Sequence, residues 1–260
     1  MTPDAQQPWQ LPLKVANREP APGAYRFLAR LVHAVMGALV RRTWRGRENI
    51  PAGGCLIVPN HISNFDVLVV GEYLIWNGRW PRFLGKAEIW RVPLVGWFAR
   101  QCRQIPVLRN TAKAKDSLVH ARAALRQGDC VAIYPEGTIT ADPDGWPMVG
   151  RLGAARLALA TGVPVIPVGQ TGADAILGGK TLQPWKLFSV RRRPVSVLAG
   201  APVDLSDLPV SDEPTREDLE EATARIMDAV VALVAELRGE PAPVDRWDMR
   251  VGARVPARRP

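Results

Sequence analysis

Short apolar runs rich in β-branched residues alternate along this chain with longer stretches of helical period. Cys55-Leu56-Ile57-Val58 predicts a buried strand, and residues 67–76, closed by Asn77-Gly78, predict a buried helix with a stop signal. Residues 82–86 and 104–109 read as two further strands. Apolar positions at 114, 118, 121, 124 and 125 have the spacing of a helix over residues 111–126, ended by Gln127-Gly128-Asp129. Residues 130–134 and 163–168 are apolar runs again, separated by a helix over 149–161 that Gly162 stops. One more strand is predicted at 195–198, and an amphipathic helix at 217–237. This alternation argues for an α/β fold: a mixed, largely parallel sheet flanked by helices.

The ends of the chain read differently. Residues 1–22 are polar and Pro-rich and lack the apolar core of a signal peptide. An apolar run at 31–40 is broken by His33 and fenced by Arg30, Arg41, Arg42 and Arg45. It falls short of the about 20 apolar residues that span a bilayer. It suits a helix lying in a membrane interface with its arginines reaching phosphates, and equally an amphipathic helix packed on the domain. Residues 44–51 read as an edge strand and a turn. The expected organisation is an N-terminal segment with an amphipathic helix over 1–45, a folded domain over 46–240, and a disordered Pro- and Arg-rich tail over 241–260.

Composition narrows the classes. With 260 residues, 47% of them hydrophobic and 23% charged, the chain can bury a full core as one domain. A formal net charge of +9 calls for an anionic partner: a membrane surface, a nucleic acid or an acidic substrate. A nucleic-acid module would interleave basic and aromatic residues on one face, whereas most tryptophans here sit in apolar runs and many arginines sit at the termini. No nucleic-acid partner is expected. Cys55, Cys102 and Cys130 lack metal-ligand spacing and read as core thiols of a reducing compartment. With histidines only at 33, 61 and 120, no metal site is expected.

The candidate chemistry starts at Pro59-Asn60-His61-Ile62-Ser63-Asn64-Phe65-Asp66, a strand-to-helix turn. On one continuous helix His61 and Asp66 would lie about 140° apart and could not meet. With His61 in the turn, Ser63 or Asn64 as N-cap and Asp66 in the first helical turn, they can. An Asp on one ring nitrogen fixes the tautomer and leaves the other nitrogen to accept a proton. The same pair also fits a turn histidine with an Asp countering the helix dipole. Lys86, Arg109 and Glu136-Gly137-Thr138 stand at other predicted strand ends, where loops of an open α/β sheet converge. Taken singly, Arg109 also fits a strand-end salt bridge, and Glu136 a structural turn carboxylate. Together the set suits a substrate carrying both an alcohol and a phosphate.

Asn60-His61-x4-Asp66, Gln104-Ile105-Pro106-Val107-x-Arg109, Tyr134-Pro135-Glu136-Gly137-Thr138 and Val163-Pro164-Val165-Ile166-Pro167-Val168 resemble, in order, the four motifs of the glycerolipid acyltransferases. The likeness runs from about Gly46 to Val168 and is greatest to the bacterial 1-acyl-glycerol-3-phosphate type. The resemblance implies an acyltransferase domain over 46–240 in which His61, held by Asp66, takes the proton of an acceptor hydroxyl attacking a thioester. It implies substrate-binding roles for Asn60, Lys86, Arg109, Glu136, Gly137, Thr138 and Arg151, with Arg109 on the acceptor phosphate. The donor would be acyl-CoA or acyl carrier protein as co-substrate, with no other cofactor. The acceptor would be lysophosphatidic acid or a related lysolipid, at the cytoplasmic face of the cell membrane, with the protein bound peripherally to an anionic surface. One position departs from the family pattern: Ile139 stands where a basic residue usually follows Glu-Gly-Thr. That departure keeps a glycolipid or amino-lipid acceptor open, alongside a non-catalytic membrane-binding protein of the same fold.

Overall fold

The computed structural model describes residues 7–107, 114–179, 181, 183 and 191–257. A short helix α1 (Leu13–Ala16) precedes α2 (Gly23–Leu39), which runs directly into strand β1 (Val40–Arg45). Strand β2 (Cys55–Pro59) leads through the histidine turn to α3 (Asp66–Trp76). Then come β3 (Pro81–Lys86), α4 (Pro93–Gln101), β4 (Ile105–Val107), α5 (Ala114–Arg126) and β5 (Cys130–Ala132). The second half holds α6 (Gly153–Thr161), β6 (Val165–Thr171), α7 (Asp174–Leu177), β7 (Arg193–Ala199) and α8 (Arg216–Arg238). A hairpin of β8 (Asp245–Asp248) and β9 (Ala253–Pro256) follows.

Seven strands form one sheet in the order β1-β7-β6-β2-β5-β3-β4. The five strands from β6 to β4 are parallel, β7 runs antiparallel to β6, and β1 is parallel to β7. The expected mixed, largely parallel sheet flanked by helices is therefore the fold. All five residues of β2 are buried, because helices cover both faces and alternation is not needed. Successive side chains still part company: Ile57 packs toward α2 and α3 with Phe65, Val69 and Tyr73. Leu56 and Val58 pack toward α5, α6 and α8 with Leu125, Leu157, Ile226 and Val230. The loops that follow β2, β3 and β5 consequently open on one edge of the sheet.

Two expectations about the ends are corrected. The edge strand expected from residue 44 starts earlier: residues 40–43, read as the end and flank of an N-terminal helix, belong with 44–45 to β1, in register with β7 from Val40↔Arg193 to Arg45↔Leu198. Arg42 thus lies against α3 rather than at a helix surface: its Nε donates to Glu72 Oε2 at 3.0 Å. His33 Nδ1 lies 2.7 Å from Glu72 Oε1, and its ring stacks on Trp76, so α2 is docked on α3 by a buried polar cluster. The second correction concerns the tail. Through residue 257 it is a hairpin, turned at Gly252 (φ 71°), whose arginines meet acids. Arg246 pairs with Asp228, Arg250 with Asp248, and Arg254 with Asp142. Each pair neutralises a charge that the sequence presents as free. Among the described residues no helix is long and apolar enough to cross a membrane.

Candidate active site

The turn after β2 is built by hydrogen bonds that the sequence hides. Asn60 is buried, and its amide grips Gln170 of β6: Nδ2 donates to Gln170 O (3.1 Å), and Oδ1 accepts the Gln170 N–H (2.8 Å). Gln170 answers by donating from Nε2 to Asn60 O at 3.0 Å. Asn60 therefore shapes the turn by tying it to β6. The next residue, His61, places Nδ1 2.8 Å from Asp66 Oδ2. A carboxylate only accepts, so Nδ1 is the donor, and the Nε2 lone pair is left to take a proton. The same Asp66 oxygen accepts the N–H groups of Ile62 (2.6 Å) and Ser63 (2.8 Å). Burial pushes the Asp66 carboxyl above the usual carboxylate range, while His61 and these two N–H donors pull against that shift. Asp66 opens α3, and the expected Ser63 or Asn64 side-chain cap is not used: Ser63 Oγ donates to Gly178 O (2.6 Å) and accepts from Phe65 N.

The loop after β5 supports the histidine from beneath. The His61 ring stacks on Tyr134 with centroids 4.1 Å apart. Glu136 is buried, and its two oxygens accept the backbone N–H of His61 and that of Met148, each at 2.9 Å. Burial is the larger influence on this carboxyl and, against both donors, pushes its pKa up to about 8. Gly137 takes φ 72°, and a Cβ there would stand 2.8 Å from Arg151 Cδ, so glycine lets Arg151 lie across the turn. The Gly137 N–H is spent on Tyr134 O (3.0 Å), so it is not a free anion-binding donor.

His61, Asn64, Lys86, Thr138 and Ile139 line one cavity of about 480 Å³. Most of the remaining lining is apolar, with Leu28 and Val32 of α2, Leu68 of α3 and Val95 and Phe98 of α4, while Glu72 and Gln104 add polar groups. Ile139 is buried in this wall, so the residue at the position of the usual cation faces hydrocarbon-like surroundings. Arg151 is exposed and lines a second cleft, of about 940 Å³, together with Glu136 and Met148; no described residue lines both this cleft and the histidine cavity. Arg109 lies outside the described residues. The structure thus brings His61, Asp66, Glu136, Thr138 and Lys86 together and sets Arg151 on the far side of the loop. Among the described residues no three His, Cys, Asp or Glu side chains gather as a metal site would require.

A family model described as Acyltransferase matches residues 41–171, half of the chain. The chain belongs to the acyltransferase family. Among its relatives is the chloroplastic 1-acyl-sn-glycerol-3-phosphate acyltransferase BAT2 of Brassica napus, 30% identical over 136 residues, 51% of this chain and 38% of that one. A lyso-ornithine lipid O-acyltransferase of Pseudomonas aeruginosa is 34% identical over 120 residues, 45% of this chain and 43% of the relative. The matched stretch thus spans less than half the length of either relative. The crystal structure of the 1-acyl-sn-glycerophosphate acyltransferase PlsC of Thermotoga maritima shares the fold, with a TM-score of 0.61 at 22% identity over 84% of this chain and 83% of that one.

Within this acyltransferase, sequence reasoning passed over Gln170, which locks the histidine turn from β6, and the stacking role of Tyr134. It also passed over Asp142 and Arg254. Tyr134 carried a signal, since it adjoins Glu136-Gly137-Thr138 in a quoted motif; the others pair across gaps of about a hundred residues that no local pattern encodes.

Proposed function

We propose that this chain transfers a fatty acyl group from the thioester of acyl-CoA or acyl carrier protein to the free hydroxyl of 1-acyl-glycerol-3-phosphate, giving phosphatidic acid. The observation that carries the reading is His61, held through Nδ1 by buried Asp66, in the wall of an apolar cavity. The acceptor hydroxyl attacks the thioester carbonyl while its proton passes to His61 Nε2. The tetrahedral adduct then collapses, the C–S bond breaks, and the departing thiolate takes the proton from the imidazolium. Asp66 keeps the ring in the productive tautomer and stabilises its charged form. The apolar cavity offers the acyl chain a place beside the base. Lys86, exposed at the end of β3 in the cavity lining, is placed to meet an anionic group of either substrate.

The reading includes peripheral attachment to the cytoplasmic face of an anionic membrane. It is supported by apolar side chains exposed around the cavity: Phe27 and Leu31 on α2, Ile89 and Val92 ahead of α4, and Leu94 and Trp97 on α4. A second acceptor, a lyso-ornithine or other amino-lipid, is favoured by Ile139, which supplies no cation for a phosphate monoester. The relative from Pseudomonas aeruginosa named as a lyso-ornithine lipid O-acyltransferase points the same way. The test is thiol release from palmitoyl-CoA with lysophosphatidic acid, with lyso-ornithine lipid and without acceptor. Release dependent on lysophosphatidic acid supports the first reading, and release dependent only on the amino-lipid supports the second. No acceptor-dependent release from acyl-CoA or acyl carrier protein overturns both.

A further inference from the structure

The C-terminal hairpin reaches the histidine turn through a short series of hydrogen bonds. Arg254 of β9 holds both oxygens of Asp142, Nε on Oδ2 at 2.7 Å and Nη2 on Oδ1 at 2.8 Å, and Nη2 also meets Asp144 Oδ2 at 2.7 Å. The Asp142 side chain is 1% exposed. Burial alone would raise this carboxyl; Arg254 and the N–H groups of Asp144 and Trp146 more than offset that and hold it below the usual range. Asp142 in turn organises the loop: its Oδ1 accepts Asp144 N (2.9 Å) and Trp146 N (3.3 Å), and its N–H donates to Thr140 Oγ1 (3.1 Å). Thr140 Oγ1 donates onward to Trp146 O at 2.7 Å. The Thr140 N–H then donates to His61 O at 2.7 Å.

Both backbone groups of His61 are therefore held by this one loop, the carbonyl by Thr140 and the N–H by Glu136. The hairpin fastens the loop a second time, where Val149 N donates to Trp247 O at 3.0 Å. From the other side Arg238 of α8 donates to the carbonyls of Asp144 (3.0 Å) and Gly145 (2.9 Å), and its guanidinium lies 4.4 Å from the Trp146 ring centroid. Arg254 is the only cation paired with Asp142 among the described residues. Without it a buried carboxylate loses its counter-charge, and the loop must open or the carboxyl must take up a proton.

We infer that Arg254 is a positioning residue for His61, acting through Asp142 and Thr140. The hairpin is thus part of the catalytic architecture rather than an appendage. The kinetic part of the inference rests on the acyl-transfer reading above; the geometric part does not.

The experiment reads both parts on the full chain. Arg254→Ala should lower kcat about tenfold with both KM values within about twofold of wild type, since a small misplacement of a reacting group costs turnover rather than binding. In the His61→Ala background the same substitution should add no further loss, because the two act as one unit. Independently of activity, the ring resonances of His61 should shift or broaden in Arg254→Ala while those of His33 and His120 stay in place. With three histidines in the chain, they are assigned by single substitutions. Unchanged His61 resonances, an equal fold loss in the His61→Ala background, or a raised acceptor KM at normal kcat would each overturn the proposal. If Arg254→Ala yields no cooperative unfolding transition, Arg254→Lys, which keeps a charge against Asp142, is read by the same criteria. A wild-type chain that transfers no acyl group would sink the functional reading and leave the resonance test standing.

Discussion

Glu136 meets His61 through the backbone: its Oε1 accepts the His61 N–H at 2.9 Å while its Oε2 accepts Met148 N–H at the same distance. Each of the two oxygens keeps a lone pair for its N–H donor, with or without a proton on the carboxyl. Glu136→Gln replaces one acceptor with an NH₂ donor, which must face either His61 N–H or Met148 N–H. Leaving one buried N–H unpaired costs about 1–3 kcal/mol. The variant is therefore expected to lose turnover with its acceptor KM little changed. A raised acceptor KM at normal kcat would instead place Glu136 on the substrate.

The same residue sets a pH dependence of stability. Its pKa is about 8 in the fold against an ordinary 4.5, so between those values the native state holds a proton that the unfolded chain has released. Stability from this group is then present at low pH and lost as pH rises toward 8. The Tm advantage of wild type over Glu136→Gln should therefore shrink from pH 5 to pH 8, which calorimetry of the pair at several pH values would check. An advantage that grows with pH would mean that the two N–H donors outweigh burial.

His61→Ala should reduce transfer by about 10²–10⁴, the usual worth of a general base, and lower Tm as well, because the ring stacks on Tyr134 and bonds buried Asp66. Asp66→Asn should be worse for the fold. Its Oδ2 takes three donors, and an amide turned to satisfy the N–H groups of Ile62 and Ser63 no longer enforces the His61 tautomer. Circular dichroism with thiol-release rates separates the two effects. An active His61→Ala protein would remove the base assignment.

Ile139→Arg decides between the family pattern and the cavity. If a cation belonged at this position, lysophosphatidic acid turnover should rise. The buried Ile139 side chain lines the apolar cavity beside His61 and Thr138, so the expected result is the reverse. An unpaired charge there costs several kcal/mol, and Tm and turnover with every acceptor should fall together.

How far the sequence disclosed this molecule follows from the range of each interaction. Strands β2, β5 and β6 are legible because burial on both faces makes them continuous apolar runs. Strand β1 is legible only at its end, residues 44–45, since the arginines before them imitate the flank of a helix and its pairing partner β7 lies about 150 residues away. The His61–Asp66 pair is legible because only four residues lie between the two. For Glu136 the structural turn role is legible as one of two readings but its partners are not, because they are backbone N–H groups of other segments. The tail shows its arginines but not the acids of Arg246 and Arg254, which come from α8 and from the loop after β5.

The membrane reading makes a demand on α4. Leu94 is 68% exposed and Trp97 45% exposed, on a short helix that also contributes Val95 and Phe98 to the cavity wall. Water is a costly neighbour for two such side chains, each worth about 1.5–3 kcal/mol when fully buried. In a bilayer interface they would be covered, and the acyl cavity would lie beside the lipid that supplies and receives its chains. Leu94→Ala with Trp97→Ala should then weaken binding to vesicles of phosphatidylglycerol and phosphatidylethanolamine by at least about tenfold, while turnover of a short-chain soluble thioester and acceptor stays near wild type. Raising salt should weaken wild-type binding further, because arginine–phosphate attraction is screened, whereas the apolar contribution lost in the double variant is insensitive to salt. Sedimentation with vesicles at low and high salt, run beside the soluble-substrate assay, checks both statements. If the double variant binds vesicles as wild type does, α4 faces something other than lipid, and the orientation of the cavity toward the membrane fails with it.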